Sequence, residues 1–159
     1  MKVGLVVTAV IAAPNRSAAE LLILIMEGGK MIGIWKSYSD VYLYVAGAAM
    51  LATFGIPLLV VPIRWARAFR WEVPQPEHLV VFLGRSLGIF ISLIAVFAFK
   101  VAGSPAVKPF FFDLMLWLFV SMIALHIYGA VRKTQPITET IEIFLWVVLF
   151  LITLCFYPL

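Results

Sequence analysis

Residues 79–102, LVVFLGRSLGIFISLIAVFAFKVA, decide the fold. The stretch holds two charged groups, Arg85 and Lys100, and its apolar positions run on without alternation. About 20 apolar residues, rising ~1.5 Å each, cross a hydrocarbon core of about 30 Å. In such a core only helices and closed barrels satisfy their backbone groups, and barrel strands alternate apolar with polar positions. The stretch therefore predicts a transmembrane helix.

Three further runs read the same way: Val41–Ile63, Phe111–Val131 and Ile141–Pro158. As helices, the four runs cover about 27–36 Å each. Of the 159 residues, 64% are hydrophobic and 13% charged. A soluble domain is about 45–50% apolar and about 25% charged. That contrast excludes a disordered chain, a secreted disulfide scaffold and an ordinary cytosolic enzyme. The expected fold is all-α, a polytopic transmembrane bundle in a single integral membrane domain over 1–159. Residues 41–159 form its four-helix part.

Residues 1–40 read differently. Val3–Ala13 is apolar but covers only about 16 Å as a helix. Pro14-Asn15-Arg16 breaks it, Leu21–Met26 is apolar again, and Glu27-Gly28-Gly29-Lys30 follows. This segment is either a broken fifth span or a re-entrant, interfacial pair of short helices, and the broken span is the preferred reading. Pro57 and Pro62 predict a kink in and at the end of the first clear span, because proline removes an intrahelical hydrogen bond.

The net charge is +4, with 12 Lys and Arg against 8 Asp and Glu. The basic residues sit in short loops between apolar runs, the pattern of membrane topology rather than of nucleic-acid binding. Arg64, Arg67 and Arg70, interleaved with Trp65, Phe69 and Trp71, read as a basic stripe beside aromatic anchors for an anionic headgroup layer. With Arg132 and Lys133, they place loops 64–78 and 132–138 in the cytoplasm and the C-terminus on the opposite side. Membrane lipids are thus the expected surroundings. The lone cysteine, Cys155, excludes an intrachain disulfide and Cys-x-x-Cys redox chemistry, and reads as a small buried hydrophobe.

Gly84, Gly88 and Ser92 put small residues at i, i+4 and i+8, a face on which two helices approach closely. It serves either another subunit or packing within the bundle. Ionisable groups inside hydrocarbon are costly and each calls for a reason. Arg85 lies about 9 Å in from the end of its run, His126 about 9 Å in from the same side, and Glu142 about 4.5 Å beyond Glu139. Three consecutive helices thus carry Arg85, His126 and Glu142 at similar depth.

One reading makes these three a polar pocket: Arg85 for an anionic headgroup or carboxylate, His126 for a proton or ligand, Glu142 as base or counter-charge. The other is a structural network in which Arg85 pairs with Glu142 and His126 bonds to a carbonyl or to Tyr128. Glu139, in a first helical turn, is explained by the helix dipole. The segments Leu125-His126-Ile127-Tyr128-Gly129 and Gln135-Pro136-Ile137-Thr138-Glu139 look motif-like.

His78 and His126 form no Glu-x-x-His or His-x-x-x-His pair, so helix-based metal spacing is missing. Single-histidine ligation of haem or chlorophyll at His126 is the one cofactor reading left. The expected function is a non-catalytic small or accessory subunit of a larger membrane complex, with other subunits or further copies of itself as partners. A small membrane enzyme or a lipid- or ligand-binding protein is the alternative, and a transporter or channel component is the third.

Overall fold

A computed structural model describes residues 32–159. Within them every regular element is helical, and four helices are long and apolar enough to cross a membrane. The segment before residue 32, with its broken apolar runs, lies outside the described residues.

The first long element, α1 (Lys36–Val60), begins earlier than the apolar run, with a 3-10 turn at Lys36–Tyr38. It is regular over Ser39–Met50, widens into a π turn at Leu51–Gly55 and closes as Ile56–Val60. The expected kink is therefore present, and it has two parts. Pro57 has no N–H to return to the carbonyl of Thr53, and the turn before it opens to a bond from the Ile56 N–H to the Leu51 carbonyl. The span then ends at Val60, short of the predicted Ile63. Val61 leaves helical geometry and Pro62 starts a new helix, α2 (Pro62–Ala68).

Three elements follow: α3 (His78–Ala102), α4 (Lys108–Arg132) and α5 (Ile137–Phe156). They begin one to four residues before the apolar runs, because the free N–H groups of a first turn are met by water once the helix extends into the polar interface.

The small face of α3 turns inward, onto α1. A Cβ on Gly88 would stand 2.7 Å from the Leu59 nitrogen and 2.9 Å from the Gly55 carbonyl oxygen. One on Gly84 would stand 2.7 Å from the Pro62 ring, and Ser92 Oγ fills the space beside Gly55 while donating to the Gly88 carbonyl. Gly84, Gly88 and Ser92 thus serve contact within the chain, where small residues let two backbones meet.

α4 and α5 form a second antiparallel pair through the short turn between them. The core lies between the pairs: Leu43 of α1, Ala98 and Ala102 of α3, and Phe111, Phe112, Met115 and Phe119 of α4. Cys155 is buried, as a small hydrophobe should be.

Both ends are clasped. At one, the Gly33 and Trp35 amides donate to the Leu154 and Cys155 carbonyls, Lys108 pairs with Asp40, and Tyr157 OH donates to Asp113 (2.8 Å). Tyr42 meets Thr153 within the bundle. At the other, Thr138 Oγ1 donates to the Phe69 carbonyl and Trp71 Nε1 to Glu139 (2.8 Å). Loops 64–78 and 132–138, expected on one side of the membrane, meet at this end.

Candidate functional site

The α4–α5 turn builds the site. α4 ends with Lys133 in the left-handed region (φ 54°); the Thr134 amide reaches the Gly129 carbonyl and the Lys133 amide the Ala130 carbonyl. This is a Schellman closure, with lysine at the position that usually takes glycine. The Gln135 side chain folds back across Gly129, where a Cβ would block it, and donates to the His126 carbonyl (3.0 Å) and Thr140 Oγ1 (3.2 Å). Pro136 in extended geometry starts α5, placing Glu139 in its first turn and Glu142 one turn further on.

His126 is the centre, with a side chain 4% exposed. Nδ1 stands 2.7 Å from the Met122 carbonyl oxygen, which can only accept, so Nδ1 carries a proton and donates. Nε2 faces α5. It lies 3.1 Å from Glu139 Oε2 and 3.8 Å from Glu142 Oε2, and the Trp146 indole N–H points at it from 3.4 Å. Both carboxylates are 13% exposed. The second oxygen of Glu139 accepts from Trp71 Nε1, so the aromatic residue past α2 holds the carboxylate in place.

The electrostatics are unbalanced without an added positive charge. With Nδ1 protonated, a neutral Nε2 offers a lone pair to two carboxylates. A proton on Nε2 makes an imidazolium that donates to Glu139. A proton on Glu139 lets the acid donate to Nε2. A cation seated among the three atoms satisfies all of them.

Of the three residues expected together, the structure joins His126 and Glu142. Arg85 lies apart, exposed on α3 and lining a surface groove with Glu77, His78 and Phe82. It makes no ion pair among the described residues. Gly84 and Gly88 commit the adjoining face of α3 to α1, and Arg85, about 60–100° further round the helix, falls on its exposed flank. The Arg85–Glu142 pair of the network reading is therefore absent from the described contacts. The carbonyl bond of that reading is present at His126, while Tyr128 points outward at 62% exposure.

Glu139, assigned to the helix dipole alone, joins the cluster, as do Trp71 and Trp146. The chain order held a usable cue. Two helices joined by a short turn run antiparallel, so residues at equal distance from the turn lie opposite one another. His126 on α4 therefore faces the stretch of α5 that carries Glu139, Glu142 and Trp146. The metal spacing sought on single helices is in this way supplied across two. The two motif-like segments converge here, through His126, Gly129, Gln135, Thr138 and Glu139.

The basic stripe is only partly a helix face. Arg64 and Arg67 lie on α2, and Arg67 pairs with Glu77 (3.0 Å). α2 ends at Ala68, so Arg70 falls in its left-handed cap (φ 64°) instead of continuing the stripe, and the Trp71 amide closes onto the Ala66 carbonyl. Trp65 turns back onto the bundle, its indole donating to the Thr53 carbonyl (2.9 Å).

A macrocycle on His126 Nε2 does not fit this arrangement, because Glu139, Glu142 and Trp146 occupy the face it would need. Comparison with protein-family models, curated proteins and solved structures finds no match for this chain.

Proposed function

We propose that this chain is a small membrane-embedded binding protein or enzyme that works through an exchangeable positive charge at His126, Glu139 and Glu142. The observation that carries the reading is the Nε2 lone pair directed at two carboxylates. The site sits near the end carrying loops 64–78 and 132–138, which charge distribution assigns to the cytoplasm. Arg64, Arg67 and Trp71 at that end suit a headgroup layer. Trp71 also reaches Glu139, so a ligand approaching from that layer would meet the cluster through it.

A site kept for function is paid for in stability, whereas a structural lock contributes to it. The variant H126Q/E139Q/E142Q keeps hydrogen-bonding groups at all three positions and removes the carboxylate charges and the imidazole. With both proteins stripped by chelator, melting of the detergent-solubilised variant at or above the wild-type temperature supports the proposal. Melting well below it, with the single variants E139Q and E142Q each already destabilised, overturns the proposal in favour of a structural network.

An accessory role in a larger assembly is the second reading, favoured by Trp117 of α4. The residue is 71% exposed and its N–H has no acceptor among the described residues. Mass measurement after mild-detergent extraction tests it: a partner or second copy supports it, and a lone chain counts against it.

A further inference from the structure

We infer that the positive charge at this site is a divalent first-row transition-metal ion, held by His126 Nε2, Glu139 Oε2 and Glu142 Oε2. The inference rests on the reading of this cluster as the functional centre and names what it binds. The ligand atoms that the three side chains offer lie within 4.8 Å of one another. Ions of this class take nitrogen and carboxylate ligands at about 2.0–2.2 Å, which sets neighbouring ligands roughly 3.0–3.6 Å apart. Of the distances from Nε2, 3.1 Å falls within that range and 3.8 Å just above it, and with all three atoms inside 4.8 Å the carboxylates need close by no more than roughly 1 Å on loading.

The surroundings carry the argument further than the three atoms do. A metal-bound histidine almost always donates its other ring N–H to a carbonyl or carboxylate, which fixes the tautomer and aims the lone pair. His126 does so to the Met122 carbonyl. A metal-bound carboxylate is held in turn by a hydrogen bond, and Trp71 supplies it on the oxygen of Glu139 that faces away from Nε2. The imidazole is nine-tenths buried and directed into the site. Two carboxylates and a dication are neutral together, which lowers the cost of the site where water is scarce.

The donor set decides the class of ion. An imidazole nitrogen favours zinc, cobalt, iron(II) or manganese over calcium, which seeks six to eight oxygens. The Trp146 N–H, directed at Nε2 from 3.4 Å, must yield as the metal takes that lone pair. Three protein ligands leave a position open for water or a ligand, the arrangement of catalytic rather than structural zinc sites.

The test uses the full chain in detergent, stripped with chelator and titrated with Co²⁺, Zn²⁺ or Mn²⁺. The expected result is one Co²⁺ per chain with visible d–d absorption, displaced by Zn²⁺, and a melting temperature that rises with metal. H126Q and E142Q should abolish these responses. H78Q, which removes the other histidine, should leave them intact, and W71F should weaken binding about 10–100-fold by releasing Glu139. Binding no tighter than in H126Q/E139Q/E142Q, or lost equally in H78Q, overturns the metal assignment. The melting of the metal-free triple variant decides the functional reading separately, so the two fail independently.

Discussion

At the scale of single residues, Tyr157 shows how one contact makes a terminus respond to pH. It lies just beyond α5 and donates to Asp113 Oδ1 across the bundle end. That hydrogen bond to a carboxylate pushes the phenol upward from its ordinary value near 10, with burial and the charge of Asp113 adding in the same direction. A group raised on folding contributes stability below its unfolded value and loses it as pH climbs through its folded one. The clasp formed by Tyr157 is therefore intact at neutral pH and opens only in strong alkali. Ultraviolet titration of phenolate should show a late-titrating component that moves earlier in Asp113→Asn; a titration curve unchanged by D113N would contradict this.

Within the elements, the break of α1 is a hydrogen-bond problem solved by a neighbour. Pro57 leaves the Thr53 carbonyl without its helical donor, and Trp65, carried back by the turn at Val61 and Pro62, supplies the missing N–H at 2.9 Å. Trp65 then stacks on Phe69 (centroids 4.4 Å apart), and Phe54 packs on both. Trp65→Phe keeps the stacking and removes the donor, and should cost roughly 1 kcal/mol. In a Pro57→Ala background the backbone regains a donor for Thr53, so the same change should cost measurably less. Thermal denaturation of the four proteins of the cycle reads the coupling, and strict additivity would refute it.

The prolines were legible in the sequence because their effect is local. The acceptor of Trp65 was not, because nothing in the spacing says that α2 folds back. The same distinction separates the spans from the site. Long apolar runs named all four helices, since membrane thickness alone sets their length. Equal depth placed Arg85, His126 and Glu142 at one level, but depth leaves azimuth open. Azimuth is set by which face each helix buries, and Gly84 and Gly88 spend that face of α3 on α1.

Across the whole molecule, two helix pairs meet along a modest core and are held at both ends by polar contacts. Each span buries only 11–28% of its apolar window, so lateral packing within the chain is limited and the end clasps matter correspondingly more. Lys108 is the clearest case. Its side chain is 10% exposed, at the start of α4, where the helix dipole disfavours a cation, and it is held by Asp40 of α1 with Ser39 Oγ 3.4 Å away. Asp40 is half-exposed, so the pair adds little as an attraction. Its weight appears when one partner is lost. Asp40→Asn strands a desolvated ammonium and should cost about 1–2 kcal/mol, below the figure for a fully buried pair because water still reaches the aspartate side. Lys108→Met keeps the packed stem and removes the charge, so adding it to D40N should restore most of the loss. Melting of D40N, K108M and the double variant in one detergent reads this order. A double variant that melts below D40N would mean that the pair itself, rather than relief of a stranded charge, joins α1 to α4.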